Sequence, residues 1–211
     1  DMIENEFWNM ISLLELVLAH NKLEEPQSIH NISYFTEQIY KEVQLNYPKL
    51  NISDEEIENV SKLATIHDIG KLFTPYEILN KKGKLTKDEM DIIKKHPLNG
   101  ANMALKLPKC GKASKLVQYA YNICLYHHER YDGQGYPKGL IGDEIPLCAQ
   151  VVGLADAYDA LISERPYKRK INHDEAVRMI VNGECGSFSP KVILSFIIAS
   201  MNKTWIEKVS K

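Results

Sequence analysis

Residues 64–71 read ATIHDIGK, and the helical spacing of Val60, Ala64, His67 and Asp68 puts an imidazole and a carboxylate on a face otherwise built for burial. Three more stretches do the same. In KKHPLNG, residues 94–100, Ile92 leads into His96, then Gly100 and Ala104. In LYHHERYDGQGYP, residues 125–137, His127 continues the stripe of Leu116, Ala120 and Ile123, with His128 beside it. In LADAYDAL, residues 154–161, Asp156 and Asp159 share a stripe with Val152, Ala155 and Ala160. Ionisable groups aimed into a core are costly unless they are paired or hold a cation. One such histidine reads as a hydrogen-bonded core residue. Six groups on four amphipathic segments read as a metal centre inside a single-domain, all-α helical bundle.

Composition narrows the setting. A chain of 211 residues can bury one substantial core, or two small ones. Its 44% hydrophobic and 26% charged residues are ordinary for a soluble globular protein. A net charge of −2 offers no field for a nucleic-acid polymer or an acidic membrane. No apolar run is long enough to span a bilayer, and no signal peptide is expected. Cys110, Cys124, Cys148 and Cys185 show no CxxC pairing, which predicts reduced thiols and a cytoplasmic domain. Because the chain opens at Asp1, an upstream sensory or receiver domain is expected in the intact protein.

The helix signals are strong. The spacing of Phe7, Ile11, Leu14 and Leu18 predicts a first helix over 3–21, and a second is expected over 28–46. Residues 1–27 form an N-terminal helix and connector. That helix either packs on the bundle or ends a signalling helix that pairs two copies of the chain. Ser53 with Glu56, and Thr86 with Glu89, match capping boxes. The first starts a helix ending in His67-Asp68, where Gly70 lets the chain turn; the second starts the helix carrying His96, which Pro97 must kink or restart. A helix from about Ala113 delivers His127 and His128, followed by the glycine-rich stretch at 130–146, in which Gly133 and Gly135 are expected to supply positive φ. Pro146 precedes the Asp156 helix, Asn172 and Glu175 mark another start, and Ser189-Pro190 opens the last.

Imidazole and carboxylate without thiolate suit iron, manganese or zinc rather than a structural zinc finger. His67, Asp68 and Asp156 can bind one ion and His96, His127 and His128 a second, with the two oxygens of Asp68 bridging. Two divalent ions about 3.5–4 Å apart are an arrangement suited to phosphoester cleavage.

HDIGK, a separated HP, HHERYDGQGYP and ADAYDALISERPYK resemble, in order and spacing, the HD-GYP branch of the HD-domain phosphohydrolases, over about residues 28–196. The resemblance implies a helical bundle with a two- or three-metal centre, and hydrolysis of cyclic dinucleotides, chiefly cyclic di-GMP, to the linear dinucleotide or GMP. It places His67, Asp68, His96, His127, His128 and Asp156 on ligand positions. It sets Lys71 near the phosphate, Arg165 and Lys168 against substrate, and Gly135-Tyr136-Pro137 on the naming triplet. On this reading Asp68 and Lys71 are the catalytic residues. Tyr136 either stacks on a base or pins its loop, and residues 28–211 form the phosphohydrolase domain. The rival readings are a module that binds the dinucleotide or a cyclase partner without cutting, and a general phosphohydrolase acting on mononucleotides.

One departure stands out. Members of the family usually place another histidine early in the second helix, and some a glutamate one turn before it. At about 100° per residue, Ser28 projects onto the apolar stripe of that helix while His30 points away. The alignment puts Ser28 in the histidine position, Glu24 in the glutamate position and Asn31 in a common arginine position, which implies two ions rather than three. Glu129, Asp132 and Asp159 read as supporting groups, by orienting imidazoles or by local hydrogen bonds, and Arg169 and Lys170 as a solvated basic turn.

Overall fold

The computed structural model describes residues 2–23, 25–108, 111, 113–163 and 170–209. Its helices are α1 (Met2–His20), α2 (Pro26–Asn46), α3 (Asp54–Leu63), α4 (Tyr76–Leu79), α5 (Lys87–Ile93) and α6 (His96–Ala104), then α7 (Ala113–Tyr126), α8 (Leu147–Ile162), α9 (His173–Val181), α10 (Pro190–Ser200) and α11 (Lys203–Val209). Among the described residues the one strand-like feature is an isolated bridge between Asp132 and Ile141. The fold is all-α. No described helix is long and apolar enough to cross a membrane.

Two helices organise the bundle. α2 buries Ile29, Ile32, Phe35, Ile39 and Val43 at helical spacing and packs against α3, α8 and α10. α8 is apolar nearly all round, with Val151, Val152, Leu154, Ala155 and Tyr158 fully buried, so it runs through the middle. Burial of each large apolar side chain here contributes about 1.5–3 kcal/mol relative to exposure. α1 adds Phe7, Ile11 and Leu18 to the same core and leaves Met10, Leu13 and Leu16 exposed.

The final helix is α11 rather than α10, and Trp205 is its main anchor. Trp205 is fully buried against Phe35, at 4.6 Å between ring centroids, and its Nε1 donates to the Tyr158 hydroxyl at 3.1 Å. A short polar helix with one tryptophan presents too little period for a sequence pattern to register.

Capping holds with one correction. Thr86 and Glu89 complete their box, at 3.2 Å and 2.7 Å. Ser53 accepts from Glu56 N at 3.1 Å, but the Glu56 carboxylate takes the Tyr40 hydroxyl at 2.5 Å instead of closing the box. Buried Tyr40 needs that acceptor more than an exposed helix start does. Pro97 sits in the first turn of a new helix, so the helix from Thr86 stops and α6 restarts at His96.

The segment around His67 also differs from a simple helix end. α3 stops at Leu63, and residues 64–66 and 69–73 form two tighter 3-10 turns. Gly70 is required there by contact: a Cβ would fall 1.9 Å from the carbonyl oxygen of His96. The turn after Asp68 therefore lies directly on the start of α6, joining two of the histidine-bearing segments. Gly135 is a second such case. Gly133 has φ +80°, but Gly135 is not left-handed; its missing Cβ is what allows contact, since one would sit 2.3 Å from Arg130 N.

Candidate metal centre

Four elements bring the polar side chains together. The junction between the two 3-10 turns carries His67 and Asp68, α6 opens with His96, the residues just after α7 are His127 and His128, and α8 supplies Asp156. His67, Asp68, His96 and His127 are buried, whereas His128 and Asp156 are half-buried and face the open side.

The imidazoles are oriented from behind. His67 Nδ1 lies 2.8 Å from Ala64 O, His96 Nδ1 2.7 Å from Ile93 O, and His127 Nδ1 2.9 Å and 3.0 Å from Ile123 O and Cys124 O. A carbonyl oxygen only accepts, so each Nδ1 carries a hydrogen and each Nε2 is aimed at the common space. Backbone anchoring of this kind is how metal-binding histidines are held in one tautomer.

The inner atoms crowd together, and not all of them find a partner. His96 Nε2 is 3.4 Å from His127 Nε2. Asp68 Oδ1 is 3.0 Å from His96 Nε2 and 3.6 Å from His127 Nε2. His67 Nε2 is 3.4 Å from Asp68 Oδ2 and 3.6 Å from Asp156 Oδ1. His67 Nε2 and Asp68 Oδ1 are fully buried and make no hydrogen bond. One ligand atom each from Asp68, His96, His127 and His128 can be chosen so that all lie within 4.8 Å of one another. A buried polar atom left without a partner costs about 1–3 kcal/mol. A cation among these nitrogens and oxygens removes that penalty, so the donor set fits divalent ions.

Charge balance points the same way. Burial disfavours charge on His67, yet Asp68 and Asp156 more than offset it and hold the imidazole well above its ordinary range. Burial, reinforced by the neighbouring imidazoles, pushes His127 down, and His128 well down. Burial raises the Asp68 carboxyl, but Lys71, then His67 and His96, keep it well below the usual carboxylate range. The site thus presents ionised carboxylates and two neutral imidazoles, forms that a metal takes, while His67 would give up a proton on binding one.

Lys71 ion-pairs with Asp68 Oδ2 from the next 3-10 turn, so its ammonium lies at the edge of the cluster. Tyr136 stacks on His128, with ring centroids 4.8 Å apart and planes at 22°. Its loop is pinned beneath by buried Glu129, which accepts from Lys138 N at 2.7 Å and Leu140 N at 3.0 Å. Asp132 accepts from Gln134 N at 3.0 Å. Both acids therefore hold the loop rather than an imidazole. Arg165, Lys168, Arg169 and Glu24 lie outside the described residues.

On the α2 side the arrangement changes. His30 is exposed. Ser28 donates to Asp159 Oδ2, Asn31 donates to Asp159 Oδ1 at 2.8 Å, and Ser163 adds a third bond at 3.0 Å. Burial raises the Asp159 carboxyl, and these three donors only partly offset it. A small recess lined by Ser28, Ile29, Ile32, Thr65, His67, Asp156 and Asp159 separates this triplet from the cluster.

Arg130 went unweighed in the sequence, although it follows directly on HHE. Its guanidinium donates to His127 O at 3.2 Å, Glu129 O at 2.9 Å and Cys185 O at 3.3 Å, clamping the backbone behind the paired histidines. Lys94 is likewise unmarked in sequence, because an exposed lysine ending a helix is the commonest of surface features.

Known proteins share this framework. Residues 18–192 match the HD domain family. The chain is 39% identical over 161 residues to the cyclic di-GMP phosphodiesterase response regulator RpfG of Xanthomonas campestris, covering 76% of this chain and 41% of that one. It is 31% identical over 194 residues to a cyclic di-GMP phosphodiesterase of Thermotoga maritima, covering 92% of this chain and 50% of that one. The chain thus spans half or less of the length of these relatives. Among solved structures, a cyclic GMP-AMP specific phosphodiesterase of Vibrio cholerae superposes with a TM-score of 0.64 at 18% identity, over 98% of this chain and 51% of that one, a likeness of fold.

Proposed function

The chain belongs to the HD-GYP branch of the HD-domain phosphohydrolases, and from that footing we propose that it is a metal-dependent phosphodiesterase that opens a cyclic dinucleotide, with cyclic di-GMP the leading candidate substrate. The observation that carries the reading is the pair of inward-facing, hydrogen-bond-free polar atoms, His67 Nε2 and Asp68 Oδ1, among anchored imidazoles.

His67, Asp68 and Asp156 would hold one ion and His96, His127 and His128 a second, with Asp68 shared. Divalent ions there, iron or manganese before zinc, supply Lewis acidity to the phosphate oxygens and a water of lowered pKa. Hydrolysis forms a bond from water oxygen to phosphorus as the bond to the leaving 3′-oxygen breaks in line. Lys71 offsets the negative charge that grows on the phosphate oxygens, since its ammonium is already fixed beside Asp68. Tyr136 keeps the His128 ring in place by stacking. Arg165 and Lys168 complete the expected cation set along the nucleotide. The buried, reduced cysteines Cys124 and Cys148 accord with a cytoplasmic setting, where such dinucleotides serve as signals.

The test is anaerobic purification, metal quantification per chain, and chromatography of products from cyclic di-GMP with Fe(II) or Mn(II). About two ions per chain and a linear product support the proposal. Tight binding with the nucleotide unchanged after long incubation would make the domain a binding module instead. Turnover of mononucleotides alone would make it a general phosphohydrolase.

A further inference from the structure

Lys94 caps α5 two residues before His96, and it is exposed where His96 is buried. Its Nζ lies 5.4 Å from the centroid of the Tyr136 ring. That ring stacks on His128, so imidazole, phenol and ammonium form a short chain leading from the cluster to solvent. Lys71 is neutralised by Asp68 and Lys81 by Glu89, whereas Lys94 rests against a ring instead of a carboxylate. A π face positions a cation while leaving its charge available to a ligand. The surroundings reinforce it: residues 81–95 carry six lysines against three carboxylates, a net positive field at this edge of the site.

A cyclic dinucleotide has two phosphodiesters in one ring. With one over the metal cluster, the other has to lie toward the rim, and an uncompensated phosphate there needs a cation. An ammonium with three rotatable donors suits a phosphate better than the edge of a base, which asks for paired donors in a plane. We propose that Lys94 binds the second, uncleaved phosphodiester of the cyclic dinucleotide, with Tyr136 as the platform that positions its ammonium. This rests on the phosphodiesterase reading above.

The test compares a substrate with two phosphates and one with a single phosphate. Metal-loaded wild-type protein, Lys94→Ala, Lys94→Arg and Lys95→Ala are assayed on cyclic di-GMP and on bis(p-nitrophenyl) phosphate, with metal content measured for each. Lys94→Ala is expected to raise KM for cyclic di-GMP about tenfold with little change in kcat, the loss of one charge-assisted phosphate contact. Its rate on the single-phosphate ester and its metal content stay at wild-type levels. Lys94→Arg restores most of the affinity, and Lys95→Ala, one residue along and exposed, behaves as wild type. Equal losses on both substrates would overturn the proposal, as would no loss on either. A wild-type protein that cleaves the single-phosphate ester but neither binds nor cleaves any cyclic dinucleotide would overturn the underlying reading, and this assignment with it.

Discussion

Two buried polar groups of residues sit side by side in this bundle, and they are built on opposite plans. Around Asp159, Ser28, Asn31 and Ser163 bring three donors to one carboxylate. Around Asp68, imidazole nitrogens and carboxylate oxygens face one another at 3.0–3.6 Å, and some make no hydrogen bond at all. Both are expensive to bury. The first group gives its carboxylate partners from within the chain and is therefore structural, tying α2 to α8. The second leaves that cost unmet, and only a ligand from outside the chain can meet it. Each group is centred on a buried aspartate, and completeness of bonding is what separates them.

The contrast is most exposed to failure at Asp68. Asp68→Ala is expected to abolish turnover, by at least about a thousandfold, and to cut metal content, because the shared carboxylate disappears from both proposed ion positions. Full turnover by that variant would remove the mechanism. Asp159→Ala should fail in the other way. It leaves Ser28 and Asn31 without their acceptor and costs about 2–4 kcal/mol in denaturant unfolding. The imidazole half keeps its metal. Loss of all metal with unchanged stability would reverse the roles assigned to the two groups.

Smaller effects sharpen the same division. Tyr136→Leu removes the stack on His128, worth about 0.5–1.5 kcal/mol, so metal affinity should fall only severalfold in competition with a chelator. An affinity that does not move would make Tyr136 a loop anchor alone. The finest signal is a proton count. His67 is held above its ordinary range and carries a proton at pH 7 without metal, whereas His127 and His128 are lowered and already neutral. A cation on His67 Nε2 must displace that proton, so Mn(II) binding at pH 7 should release about one proton per chain, and acid should weaken binding. Calorimetry in buffers of different ionisation enthalpy reads this directly. A binding enthalpy independent of buffer would place the ion elsewhere.

Much of this was legible from spacing alone. His127 lies on the stripe of Leu116, Ala120 and Ile123, and the structure buries all four; a helical period carries that information without any knowledge of the partner helix. The Thr86–Glu89 cap and the restart at Pro97 were equally local. The capping box at Ser53 read as complete because nothing in the sequence announces that Tyr40 would claim Glu56. Gly135 read as a turn residue because the approach of Arg130 N is a contact in space, five positions away along the loop. Trp205 gave no periodic signal, yet it fixes the last helix.

Sequence by itself determined the all-α bundle, the six side chains that meet within it and the family to which they belong, because amphipathic period and motif order are properties of the chain read along its length. Tertiary structure alone decided which of the buried acids is satisfied and which is left open, that Ser28 bonds to Asp159 instead of turning to the cluster, and that Lys94 comes to rest over Tyr136. Each of these depends on where a hydrogen bond or a ring meets its partner across helices, and such distances are set only once the whole core has packed.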